Sequence, residues 1–159
     1  PGSVPLTGES AGSVPAKGTV LTDKTVEAVY TVTDSTPSAP ALAYTGTTNK
    51  NAADITIPDT VTIGGVTYKI TSIAPNAFKG NKKIKKVTIG ANVVEIGKKA
   101  FYGCTKLANV NCKSKVLKKI GASAFQGDKK LAKITLKTKL KCTSIWKASI
   151  YFYAMEKIT

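Results

Sequence analysis

The side chains available for chemistry are an unusual set. The 159 residues include 24 Lys and 9 Asp or Glu, 3 Cys, and neither Arg nor His. Without imidazole, Ser-His-Asp and Cys-His nucleophilic sites and His-ligated metal centres cannot be built within the chain. A carboxylate pair is the remaining route to acid–base catalysis. The basic half of the chain supplies only Glu95, Asp128 and Glu156. Their placement before an Ile, beside Lys129 at a corner and near the carboxyl end brings no two to the separation that glycosidases use. Cys104, Cys112 and Cys142 form no CxxC pair and no zinc spacing, and their odd number leaves at least one thiol free. No enzyme activity, cofactor or metal is expected.

Charge is divided sharply along the chain. Residues 1–70 carry 4 Lys and 6 acids, a net of −2, whereas residues 71–159 carry 20 Lys and 3 acids, a net of +17. A basic half attracts polyanions, and loose binding of a wall polymer, sulfated glycan or nucleic acid is one partner chemistry it would allow. Lysine offers point charges without the bidentate fork of guanidinium, which argues against specific base reading. No apolar run approaches the roughly 18 residues of a membrane helix, so no membrane insertion is expected. The chain reads as a processed or truncated soluble piece, and a monomer is expected.

The elements that position these residues are set by periodicity. Residues 1–18 are rich in Pro, Gly, Ser and Ala, the composition of a flexible linker. Residues 19–51 predict an amino-terminal β segment that caps the body of the chain. Its strands are Thr19–Leu21, Thr25–Thr33 with Val26, Ala28, Tyr30 and Val32 on one side, and Ala41–Tyr44. Val61-Thr62-Ile63-Gly64-Gly65-Val66-Thr67-Tyr68 predicts a hairpin, because Gly-Gly between β-branched runs supplies the positive φ of a two-residue turn.

From Ile73 the chain repeats itself. Ile-x-x-x-Ala-Phe-x-Gly occurs at Ile73–Gly80, Ile96–Gly103 and Ile120–Gly127, at offsets of 23 and 24 residues. Each copy is followed by an apolar triplet, Ile84-x-x-Val87-x-Ile89, Leu107-x-x-Val110-x-Cys112 and Leu131-x-x-Ile134-x-Leu136. Ala52-x-x-Ile55-x-Ile57 carries the same spacing upstream, which makes the hairpin an insertion in the first coil. The period matches leucine-rich repeats, whose coils bury their apolar faces only by stacking. The expected architecture over residues 52–145 is therefore a β-rich leucine-rich-repeat solenoid. Its short parallel strands stack in one sheet, and the Ala-Phe segments form an irregular or short helical opposite wall. Residues 146–159, with Trp146, Tyr151, Phe152 and Tyr153, read as a carboxyl-terminal cap or truncated repeat.

Side chains flanking the second apolar residue of each strand point outward and align across the sheet. These are Asp54 and Thr56, Lys86 and Thr88, Asn109 and Asn111, and Lys133 and Thr135. They are the candidate ligand contacts, suited to hydrogen-bonding a glycan or holding an anionic polymer. The same polarity is also what any outward face of a solenoid requires.

The run Ile96-Gly97-Lys98-Lys99-Ala100-Phe101-Tyr102-Gly103-Cys104-Thr105-Lys106-Leu107, with Asp54-Ile55-Thr56-Ile57-Pro58 and the Gly-Gly hairpin, resembles the BspA-type, Treponema-like leucine-rich repeats. The stretch from Lys17 through Lys50 is also similar to the amino-terminal segment of secreted, Lys-rich members. The resemblance implies bacterial secretion or cell-surface display. It also implies non-catalytic adhesion to a host matrix protein, a glycan or a bacterial surface polymer.

Overall fold

A computed structural model of the chain describes residues 12–138, and within them every regular element is a strand. The expected cap at residues 146–159, Cys142 and most of the amino-terminal linker lie outside the described residues.

The amino-terminal segment forms β1 (Val20–Asp23), β2 (Ala28–Asp34) and β3 (Ala41–Thr47), an antiparallel meander. Ala28, Tyr30 and Val32 alternate into the core, but Val26 does not join them: it is 60% exposed in the turn before β2. The alternation continues two residues past the strand because Glu27, at φ 55°, turns the chain just before β2 begins. β4 (Asp54–Ile57) opens the first coil. β5 (Thr60–Ile63) and β6 (Val66–Ile73) form the expected hairpin, with Gly64 and Gly65 at φ 59° and 77°.

The later coils contribute strands to two walls. β7 (Lys86–Ile89), β9 (Asn109–Cys112) and β11 (Lys133–Thr135) are the Leu-x-x-Ile-x-Leu segments, and they stack in parallel on β4 in the order β11-β9-β7-β4. β8 (Glu95–Ile96) and β10 (Lys119–Ile120) form a second, narrow parallel ladder on the other wall. That ladder continues through β6 onto β3, so the cap and the repeats share one sheet. Tyr44, the last residue of β3 to pair with β6, takes the place that the leading Ile takes in each repeat. Its carbonyl accepts from the Ala74 amide at 2.9 Å, as Ile73 accepts from Gly97 at 2.8 Å and Ile96 from Gly121 at 2.7 Å.

Between the two sheets the Ala-Phe segments form turns rather than helix. Phe78, Phe101 and Phe125 are buried and lie in a column with centroids 5.2 and 5.4 Å apart, extended by Tyr44 and Tyr30 of the cap. The column fixes how close successive coils sit. Gly97 and Gly121 obey the same spacing: a Cβ on either would stand 2.5 and 2.4 Å from backbone nitrogen of the preceding coil. Ile55, Ile57, Val87, Ile89, Val110, Cys112 and Ile134 complete the interior from the other sheet. At about 25 cal/mol per Å² of apolar surface, this shared interior is what holds one coil to the next.

Candidate functional site

The strand register turns the eight outward residues into two straight columns. Asp54 pairs with Lys86, Lys86 with Asn109, and Asn109 with Lys133; Thr56, Thr88, Asn111 and Thr135 form the parallel column two residues on. Alternation decides the faces. Ile55, Val87, Val110 and Ile134 between the columns are buried, while Asp54, Lys86, Asn109 and Lys133 are exposed. Thr56 is exposed as well, and Thr88, Asn111 and Thr135 are half-buried. The structure therefore brings all eight onto one face.

That face has polarity along its length. At the cap end, Asp54 and Thr56 border a depression of about 310 Å³ shared with Glu27, Asn49 and Pro58. At the far end, Asn109, Asn111, Lys133 and Thr135 line a second depression of about 580 Å³ with Lys113 and Lys137. One end is acidic and the other basic. The single ion pair among the described residues, Lys119 to Glu95 at 3.5 Å, lies on the opposite wall, so no salt bridge there neutralises the face.

Cysteine and carboxylate chemistry point elsewhere. Cys104 and Cys112 are buried free thiols, and Cys104 Sγ donates to the Phe78 carbonyl at 3.2 Å. Burial pushes the Cys104 thiol up to about 12 and raises that of Cys112 as well, which keeps both as inert core side chains. Among the described residues no three His, Cys, Asp or Glu side chains gather as a metal site would require. No described helix is long and apolar enough to cross a membrane.

Asp128 is the polar residue whose burial sequence reasoning missed. It lies at a corner beside Lys129, yet it is only 3% exposed. Its Oδ1 accepts from the Cys104 amide at 2.8 Å, and its Oδ2 is buried with no partner among the described residues. Burial pushes its carboxyl up to about 8, against the opposing effect of the Cys104 hydrogen bond. A signal existed in the alignment of Asn81, Cys104 and Asp128 directly after the three repeat glycines, since Cys marks that position as interior. Ser114, the other buried polar side chain, is satisfied: it donates to the Val93 carbonyl and accepts from the Val116 amide.

A solenoid with stacked parallel strands and repeated Ile-x-x-x-Ala-Phe-x-Gly turns defines a leucine-rich-repeat protein. The chain belongs to the BspA-type leucine-rich-repeat family, whose model matches residues 48–159 in six copies. Among solved structures it is similar to a leucine-rich cell surface protein from Faecalibacterium prausnitzii, at 28% identity and a TM-score of 0.62. That match covers 76% of this chain and 33% of the other. A leucine-rich-repeat protein of Bacteroides capillosus shares the fold at 23% identity and a TM-score of 0.63, covering 76% of this chain and 87% of that one. The Treponema pallidum leucine-rich-repeat protein does so at 23% identity and 0.54, covering 78% and 50%. The chain thus spans about a third of the Faecalibacterium protein and half of the Treponema one. No curated protein matches it.

Proposed function

We propose that this chain is a non-catalytic, extracellular binding module of a bacterial surface or secreted protein, with the outer face of the β11-β9-β7-β4 sheet as its contact surface. The observation that carries this reading is the pair of registered polar columns, with a depression at each end and opposite charge at the two ends. A flat lattice of donors and acceptors favours a macromolecular partner, a host matrix protein, a glycan or a bacterial surface polymer. The likeness to a cell surface protein supports the location. The test is an array of glycans and matrix proteins at two ionic strengths, read with the chain and with Asn109→Ala/Lys133→Glu. A ligand that the substituted chain loses supports the sheet face; ligands that bind both equally overturn it.

A second reading is that the chain is a spacer within a longer repeat array, which its coverage of only a third of the Faecalibacterium protein favours. An array blank even at low salt, where charge attraction is strongest, would count against the binding module and favour the spacer.

A further inference from the structure

The sheet face is not where positive charge is densest. Where the cap meets the first repeat, a cleft of about 570 Å³ is lined by Thr45, Thr47, Lys50, Lys79, Lys82 and Lys83, with the Ala77–Asn81 turn completing the lining. All four lysines are exposed, and none has a carboxylate within salt-bridge distance among the described residues. Glu27, the acid bordering this end, faces the depression on the other side of Thr47 and accepts from Asn49 Nδ2 at 2.8 Å.

The charge does not stop at the cleft. Lys83, Lys106 and Lys130 each stand three residues after a repeat glycine, and Lys82 and Lys129 each stand two residues after one. All five are exposed, so they form a ridge along the corner of the solenoid. The stacked rings put successive coils 5.2–5.4 Å apart, so each such step along the ridge carries one or two lysines. Asp128, beside Lys129, is buried rather than presented at this surface.

We propose that this cleft and ridge are a docking track for a linear anionic polysaccharide, sulfated or uronate-bearing, separate from the sheet face. Threading the cleft orders one end of the polymer, and the ridge holds successive anionic groups by point-charge attraction. Single-stranded nucleic acid fits the track less well, because such sites combine charge with aromatic platforms for the bases. The exposed large apolar side chains among the described residues are all valines. Tyr102 is half-buried, with the ammonium groups of Lys79 and Lys99 5.8 and 5.5 Å from its ring centre.

The test is direct binding of a fluorescent heparin oligosaccharide to the whole chain across a salt series. Lys79→Gln/Lys82→Gln/Lys83→Gln is expected to weaken binding about tenfold and to flatten its salt dependence. Lys98→Gln/Lys115→Gln/Lys118→Gln removes the same charge from exposed positions off the track and is expected to change affinity less than about twofold. Equal losses in the two triple variants would reduce the interaction to net charge and overturn the track. Absence of binding at low salt would overturn it too. Displacement of the oligosaccharide by oligo-dT at equal charge concentration would overturn the assignment to polysaccharide. Unchanged melting temperatures, expected because all six positions are exposed, separate these outcomes from unfolding.

Discussion

Phe101 and Phe125 stack with ring centres 5.4 Å apart and planes 1° from parallel, and Phe78 lies 5.2 Å on the other side of Phe101. A phenyl ring in the middle of this column touches both neighbouring coils, so it joins repeat to repeat as well as filling its own. Phe101→Ala is expected to cost about 3–5 kcal/mol, through lost burial and a cavity that the flanking rings cannot close. Lys98→Ala, three positions away and exposed, should cost almost nothing. Denaturant titration of both variants checks the contrast, and equal effects would show the register to be wrong.

Coil spacing also sets the identity of Gly121. A Cβ there would stand 2.4 Å from the Lys98 nitrogen and 2.7 Å from the Gly97 carbonyl carbon, both backbone atoms that cannot swing aside. Gly121→Ala is expected to push two coils apart and destabilise by about 1–3 kcal/mol. Gly80→Ala offers a comparison, because open space surrounds its Cβ position and only its φ of 73° opposes the substitution. The glycine at 121 should therefore be the less replaceable of the two in a melting experiment.

Asn76, Lys99 and Ser123 occupy one position in the three repeats, and all are left-handed, at φ 60°, 55° and 58°. Asn tolerates this region better than Lys. Lys99→Asn is expected to stabilise the chain by about 0.5 kcal/mol, seen as a raised denaturation midpoint with unchanged slope. A fall in the midpoint would mean that the Lys99 ammonium over the Tyr102 ring is worth more than the backbone strain.

Much of this architecture is legible in the sequence because a repeat states each constraint several times. The inward Ile, Val, Ala and Phe positions and the outward pairs from Asp54 to Thr135 all derive from one period. The Gly64-Gly65 turn is legible for a different reason, since its backbone needs are local. What escaped depends on contacts between segments. Glu95–Ile96 and Lys119–Ile120 are two-residue strands, too short to carry any period, so the ladder that extends the cap's sheet along the second wall is not legible in the sequence. The alternation through Val26 could not reveal that the chain turns before Ala28. The lysine cleft exists because β3 of the cap packs beside the first repeat, a juxtaposition that neither segment encodes alone.

Asp128 makes pH the most direct probe of the interior. Its carboxyl has an ordinary value of 3.8 and is pushed up to about 8 by burial, so the folded chain holds a proton that the unfolded chain releases. Its stabilising effect is complete below about pH 4 and is lost progressively as pH rises toward 8, at up to about 1.4 kcal/mol per pH unit. The chain has no His, so no side chain has an ordinary value between about pH 5 and pH 8. Asp23 lies outside the window, because the Thr25 hydroxyl bonded to it holds its carboxyl below the usual value and its contribution changes only in stronger acid. The melting temperature of the native sequence should therefore fall between pH 5 and pH 8. Asp128→Asn keeps an oxygen for the Cys104 amide and carries no charge, so its melting temperature should stay nearly level and exceed the native one at pH 8. Parallel melting curves for the two chains across that range would mean that Asp128 is ionised and solvated in the folded protein, contrary to its burial here.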